Sequence, residues 1–205
     1  ATIACLFVGA SSIAFKAPSF IISLACISIF KGIALALTNG TIQTIYGQFE
    51  ALGATRIFGI IPLLFILSLV GYLVVHFILS YTRLGRRAYA IGNNSQAAYL
   101  SGISIKGNTL LFFAINGILV GVAATMLLSR LGPVQPSTGS GMELKAMGAV
   151  VIGGTPMTGG KGKIIGTFFG ILLMGVISNV LNMLQVNPYF QDITFGFLII
   201  ISLAV

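Results

Sequence analysis

Apolar residues along this chain neither alternate nor recur every third or fourth position. They come in unbroken blocks of about 20, the length a helix needs to cross a hydrocarbon core about 30 Å thick. Ile57 to Leu79, Leu110 to Leu128 and Ile164 to Leu184 each run without a single Asp, Glu, Lys or Arg. Phe20 to Leu37 does the same with one interruption, Lys31. Ala1 to Phe15 and Ile193 to Val205 read as two more spans, cut by the ends of the sequence. The chain starts in mid-block without an initiator Met, so it reads as a piece of a longer protein. Leu144 to Ile152 is apolar but short and is followed by Gly153, Gly154 and Pro156. It is either a short tilted crossing or a re-entrant half-helix.

Composition narrows the class. With 57% apolar and 7% charged residues in 205, the chain has too little polar surface to cover a water-soluble core. Eleven Lys and Arg stand against three Asp and Glu. The basic residues flank apolar blocks and form no surface of their own, so the excess points to membrane topology and not to nucleic acid. Arg83, Arg86, Arg87 and Lys106 place the Tyr81 to Thr109 connection in the cytoplasm. Alternation then puts Lys16 inside, the Thr38 to Arg56 and Arg130 to Glu143 loops outside, and Lys161 and Lys163 inside if the short segment crosses. All three acids, Glu50, Glu143 and Asp192, fall on the far side. Cys5 and Cys26 lie within apolar runs at no metal or redox spacing and read as packing residues.

Polar residues within the blocks are the candidates for function. A charge at the centre of a membrane helix costs about 2.5–3.5 kcal/mol on insertion scales, so each needs a reason. Lys31 sits near a span end, where it either snorkels or lines a path for solute. His76 is one turn from the basic connection and reads as interfacial. No Asp or Glu falls in the blocks, which argues against a proton-driven carrier and against a membrane-embedded acid/base enzyme. Gly175, Ser178, Asn179 and Asn182 follow i, i+3, i+4, i+7 and form one stripe. The stripe either glues helices together or faces a polar solute. Gly117-xxx-Gly121 and Gly166-xxx-Gly170 are spacings that let helices approach closely.

Two polar segments stand out between the blocks. GGTPMTGGKGK, from Gly153 to Lys163, superficially suggests a phosphate-binding loop. Its register fails: Gly160 occupies the lysine position, and Lys161 is followed by Gly162 instead of Ser or Thr. GNNSQAAYLSGI, from Gly92 to Ile103, predicts a two-turn helix from Ser95 to Ser101, capped by Asn93 or Asn94 and stopped by Gly102. Ala97 and Ala98 give that helix a small-residue surface, and Tyr99 and Leu100 can anchor it. Residues alone leave it a plain connector or a docking surface.

The runs RLGRRAYAIGNNSQAAYLSGI, QPSTGSGMELKAMGAVVIGGTPMTGGKGKIIGT and NPYFQ, in that order, closely resemble the membrane-spanning permease subunit of ribose/galactose-type ABC transporters, in the larger family that includes branched-chain amino acid permeases. APSFIISLACISIFKGIALALTNG resembles the preceding span, so the likeness covers nearly the whole chain. It implies an all-α, polytopic transmembrane helical bundle, incomplete at its N-terminus, forming one permease domain over residues 1–205. It also implies a cytoplasmic coupling segment at about 92–103, in which Asn93, Ala97, Ala98 and Gly102 match the pattern and dock into an ABC ATPase subunit. The other implied partners are a second permease subunit, the same or homologous, and an extracytoplasmic sugar-binding protein. No cofactor is implied for this subunit; ATP and magnesium belong to the ATPase. The implied setting is a bacterial inner membrane, and the implied solute is a monosaccharide or related small polar molecule. Branched-chain amino acids, nucleosides and an ion-coupled secondary carrier stay open as alternatives. Lys145 departs from the family pattern, where an acidic or polar residue is expected after GMEL, and Pro156 is a less usual residue after GGT.

Overall fold

The computed structural model describes residues 1–44, 50–57 and 59–204. In chain order these form α1 (Thr2–Phe15), α2 (Ser19–Thr38), the two-residue strand β1 (Gln43–Thr44), α3 (Glu50–Ala54), β2 (Arg56–Ile57), β3 (Ile61–Pro62) and α4 (Leu63–Tyr81). There follow α5 (Arg83–Asn93), α6 (Ser95–Leu100), α7 (Ile105–Leu131), β4 (Pro133–Val134), α8 (Met142–Ile152), α9 (Ile164–Met183) and α10 (Pro188–Ala204). Four of these, α2, α4, α7 and α9, are long and apolar enough to cross a membrane, and α1 and α10 are shorter apolar helices. The chain is an all-α, multi-pass membrane protein. Parts of three expected segments lie outside the described residues: 45–49 of the outer loop, Phe58 in the third apolar block, and Val205 at the end of the last.

Each boundary has a local cause. The block starting at Ile57 becomes helical only at Leu63, because β2 and β3 pair as a hairpin, with Gly59 at φ +72° and Leu63 N–H donating to the Thr55 carbonyl at 3.0 Å. Pro62, extended at φ −61°, ψ 134°, then starts α4. At the other end, α2 stops with Asn39 and Gly40 both left-handed, and Gly40 N–H returns to the Leu35 carbonyl at 3.2 Å. The NPYFQ run is a helix start: Asn187 Oδ1 accepts from Tyr189 N–H at 3.1 Å, and Pro188 takes the first helical position, where its missing N–H costs nothing.

The chain falls into two compact units, residues 1–85 with 101–138, and residues 86–100 with 139–205. In the first, α1 lies along α7 and the contact is set by small residues. A Cβ at Gly117 would meet Thr2 Cα at 2.7 Å, and one at Gly9 would meet the Phe113 ring at 2.8 Å. β1 pairs antiparallel with β4, Gln43 opposite Val134, so the two loops assigned to the far side are joined. In the second unit, α8, α9 and α10 close around Ala149, Met174 and Phe195. A Cβ at Gly166 would strike the Gly153 carbonyl, and one at Gly170 the Ala149 carbonyl. Both small-xxx-small pairs are therefore contact surfaces. Apolar burial gives little drive between helices in lipid, so this backbone-level approach and the dispersion it allows do the positioning.

Candidate functional site

The polar connection between α4 and α7 is mostly helical. Thr82 is extended between two helices: its Oγ1 donates to the Ile78 carbonyl at 2.6 Å and accepts from Gly85 N–H at 3.5 Å, ending α4 and opening α5. On α5, Leu84, Ala88 and Ile91 are half-buried at i, i+4, i+7 spacing, while Arg83, Arg86 and Arg87 are exposed. Asn94 separates α5 from α6 by serving both. Its N–H bonds the Ala90 carbonyl at 3.1 Å, its carbonyl accepts from Ala98 N–H at 3.0 Å, and its Oδ1 accepts from Gln96 and Ala97 N–H at 3.0 Å each. After Leu100, Gly102 turns left-handed at φ +77°, and Ser104 caps α7, its Oγ accepting from Gly107 N–H at 3.4 Å.

The glycine-rich connection after α8 packs against α5. Gly154, Gly159, Gly160 and Gly162 all hold positive φ, and Thr155 N–H reaches back to the Val150 carbonyl at 3.2 Å. Gly160 lies backbone to backbone on the end of α5: its Cβ, if present, would sit 2.7 Å from Asn93 Cα, and one at Gly92 would sit 2.5 Å from Gly160 N. Tyr89 Oη donates to the Gly162 carbonyl at 3.1 Å. The glycines that suggested a phosphate loop are thus spent on close approach between two segments about 70 residues apart. A cavity of about 730 Å³ beside them is lined in part by Tyr89, Lys161 and Lys163. Residues 86–100 and 153–163 contain four basic residues, Arg86, Arg87, Lys161 and Lys163, and no acid.

These contacts also bear on membrane sidedness. The two loops that charge assigns outside pair through β1 and β4, and the two it assigns inside meet at Gly92 and Gly160. α8 has 11 residues and covers about 16 Å at 1.5 Å per residue, roughly half the core. The backbone from Gly153 onward lies against α9 at Gly166 and against the end of α5.

The four candidate coupling residues have different situations. Asn93 ends α5 and makes the Gly160 contact; it does not cap α6, a role that falls to Asn94. Ala97 is exposed on α6, Ala98 is only 4% exposed, and Gly102 ends the segment. The exposed face of α6 also carries Tyr99 at 67% and Leu100 at 80% exposure. The stripe on α9 divides as well. Gly175 and Asn179 are exposed and Ser178 is half-buried. Asn182 Oδ1 accepts from Gln191 Nε2 at 2.9 Å, and the same amide donates to the Val186 carbonyl at 3.0 Å, so this member of the stripe clasps the α9–α10 turn. Lys31 is exposed on α2, in the other unit from the α9 stripe. Lys145, half-buried on α8, holds its ammonium 4.8 Å from the centroid of the Phe195 ring, a cation–π contact that the sequence did not indicate.

These features define a multi-pass helical membrane protein with a basic, capped inter-helix segment and a glycine-tight connection. Residues 1–203 match the family model described as the permease component of the branched-chain amino acid transport system, and the chain belongs to that family. It is 37% identical over 191 residues to the ribose import permease protein of Bacillus subtilis (strain 168), covering 91% of this chain and 59% of the relative. To the D-allose transport system permease protein of Escherichia coli (strain K12) it is 39% identical over 188 residues, covering 90% and 57%. To the L-arabinose transport system permease protein of the same strain it is 32% identical over 186 residues, covering 90% and 56%. The chain thus spans less than two thirds of the length of these relatives. No solved structure matches it.

Proposed function

We propose that this chain is the membrane-spanning subunit of an ATP-driven, binding-protein-dependent importer for a monosaccharide or related small polar solute, in a bacterial inner membrane. The observation that carries the reading is the exposed face of α6. Ala97, Tyr99 and Leu100 stand out from a short helix fixed at both ends by Asn94 and Gly102. Two large apolar side chains exposed on a basic cytoplasmic connection call for a partner, and an ABC ATPase is the partner that an importer needs. The relatives named for ribose, allose and arabinose support a monosaccharide over an amino acid.

In this reading α6 sits in a cleft of the ATPase, which binds ATP and magnesium, while this subunit binds neither. The Gly92–Gly160 and Tyr89–Gly162 contacts pass movement of α5 to the connection that leads directly into α9. That helix carries Asn179, an exposed stripe member whose amide is the candidate contact for solute. A second permease subunit and an extracytoplasmic sugar-binding protein complete the path. Proteoliposomes containing the full-length subunit test the proposal. Labelled monosaccharide uptake is expected only with ATPase, ATP and binding protein all present. Uptake by the subunit alone, driven by an ion gradient, would replace this reading with an ion-coupled carrier.

A further inference from the structure

Unit 1 contains a second cavity that the transport reading does not use. It has a volume of about 740 Å³ and lies between α4 and α7, below the β2–β3 hairpin. On α7 its wall is Leu119, Val122 and Met126, continuing at the same helical spacing to Arg130 in the last turn. On α4 it is Phe65 and Ser68, with Gly71 as the floor, where nothing comes within 4 Å of a Cβ position. The Ser68 hydroxyl is already used, donating to the Phe65 carbonyl at 2.7 Å, so the wall makes no polar demand. α4 contributes no buried residue anywhere, and Phe65 and Val122 are exposed. The mouth is different in kind. Arg56, in β2, and Arg130, in the last turn of α7, are both exposed and line this end, and among the described residues no carboxylate lines the cavity.

The dimensions choose the ligand. From Arg130 to Leu119 is eleven residues, about 16 Å of helix, half the thickness of a hydrocarbon core. An apolar slot one leaflet deep, with two arginines at one end, matches an amphiphile with an acyl tail and an anionic head. Guanidinium groups suit phosphate because two parallel N–H donors meet two oxygens. A small polar solute does not fit these apolar walls, and a zwitterionic lipid, whose phosphate is already paired with its own ammonium, gains less from two arginines than a lipid with net negative charge. We propose that this groove is a binding site for an anionic phospholipid, its tail between α4 and α7 and its phosphate at Arg56 and Arg130.

Native mass spectrometry of the full-length protein, extracted from vesicles of equal phosphatidylglycerol and phosphatidylcholine with identical chains, tests this. Retained phosphatidylglycerol should exceed phosphatidylcholine by about an order of magnitude. The Arg56→Gln/Arg130→Gln double variant should lose that preference while keeping tail binding, and Ala123→Trp, which fills the wall, should lose both lipids. Should the double variant not fold, Arg130→Gln alone should reduce the preference severalfold. Equal retention of the two lipids by the unsubstituted protein would overturn the proposal. So would photo-cross-linking from position 123 to protein instead of lipid, which would make the occupant another helix.

Discussion

Helices α9 and α4 are nearly equal in length, 20 and 19 residues, and both consist almost wholly of apolar side chains. Yet α9 lies against α8 through its own backbone, with Gly166 facing the Gly153 carbonyl and Gly170 the Ala149 carbonyl, whereas α4 buries no residue and its Gly71 meets nothing. Hydrophobicity puts both into the membrane and says no more. Whether a helix is positioned by its own unit depends on where small residues let another backbone come near. The α9 arrangement holds the segment tied to α5 and α6, while the α4 arrangement leaves a groove that something else fills.

Glycine substitutions separate the two cases. The largest effect is expected at Gly160→Ala, which combines a φ of +79° with a Cβ 2.7 Å from Asn93 Cα. Loss of about 3 kcal/mol is expected, read as a drop in the thermal midpoint of the full-length protein in detergent. Gly170→Ala should cost about 2 kcal/mol by pushing α8 from α9. Removing the α9–α10 clasp with Asn182→Ala should cost about 1 kcal/mol, the scale of one hydrogen bond between membrane helices. The same Gly-to-Ala change at Gly71 should cost nothing, or stabilise by about 0.5 kcal/mol through helix propensity. If Gly71→Ala destabilised as much as Gly170→Ala, the contrast between the helices would be wrong.

What the sequence disclosed follows the same division. Block length located the long helices, and Asn and Gly bracketed α6, because those signals are local. The small-xxx-small pairs were legible as contact surfaces for the same reason. α5 was missed as a helix, although Leu84, Ala88 and Ile91 against Arg83, Arg86 and Arg87 carry its amphipathic pattern. The hairpin at Arg56 to Pro62 was hidden in an apolar run. The meeting of Gly92 with Gly160 could not be read at all, because it joins segments 68 positions apart and uses atoms that every residue has. Burial was equally hidden: Ala97 and Ala98 read alike in sequence, but one is exposed and the other is not.

That last difference gives the most direct test of the central claim, that the exposed face of α6 is where an ATPase docks. Photo-cross-linking from position 97 of the full-length protein in its native membrane, followed by mass spectrometry, should capture an ABC ATPase. Ala97→Arg should abolish ATP-driven uptake without changing thermal stability, whereas Ala98→Arg should destabilise the fold itself. If position 97 captured no ATPase and Ala97→Arg left uptake intact, α6 would be a connector and the coupling account would fail.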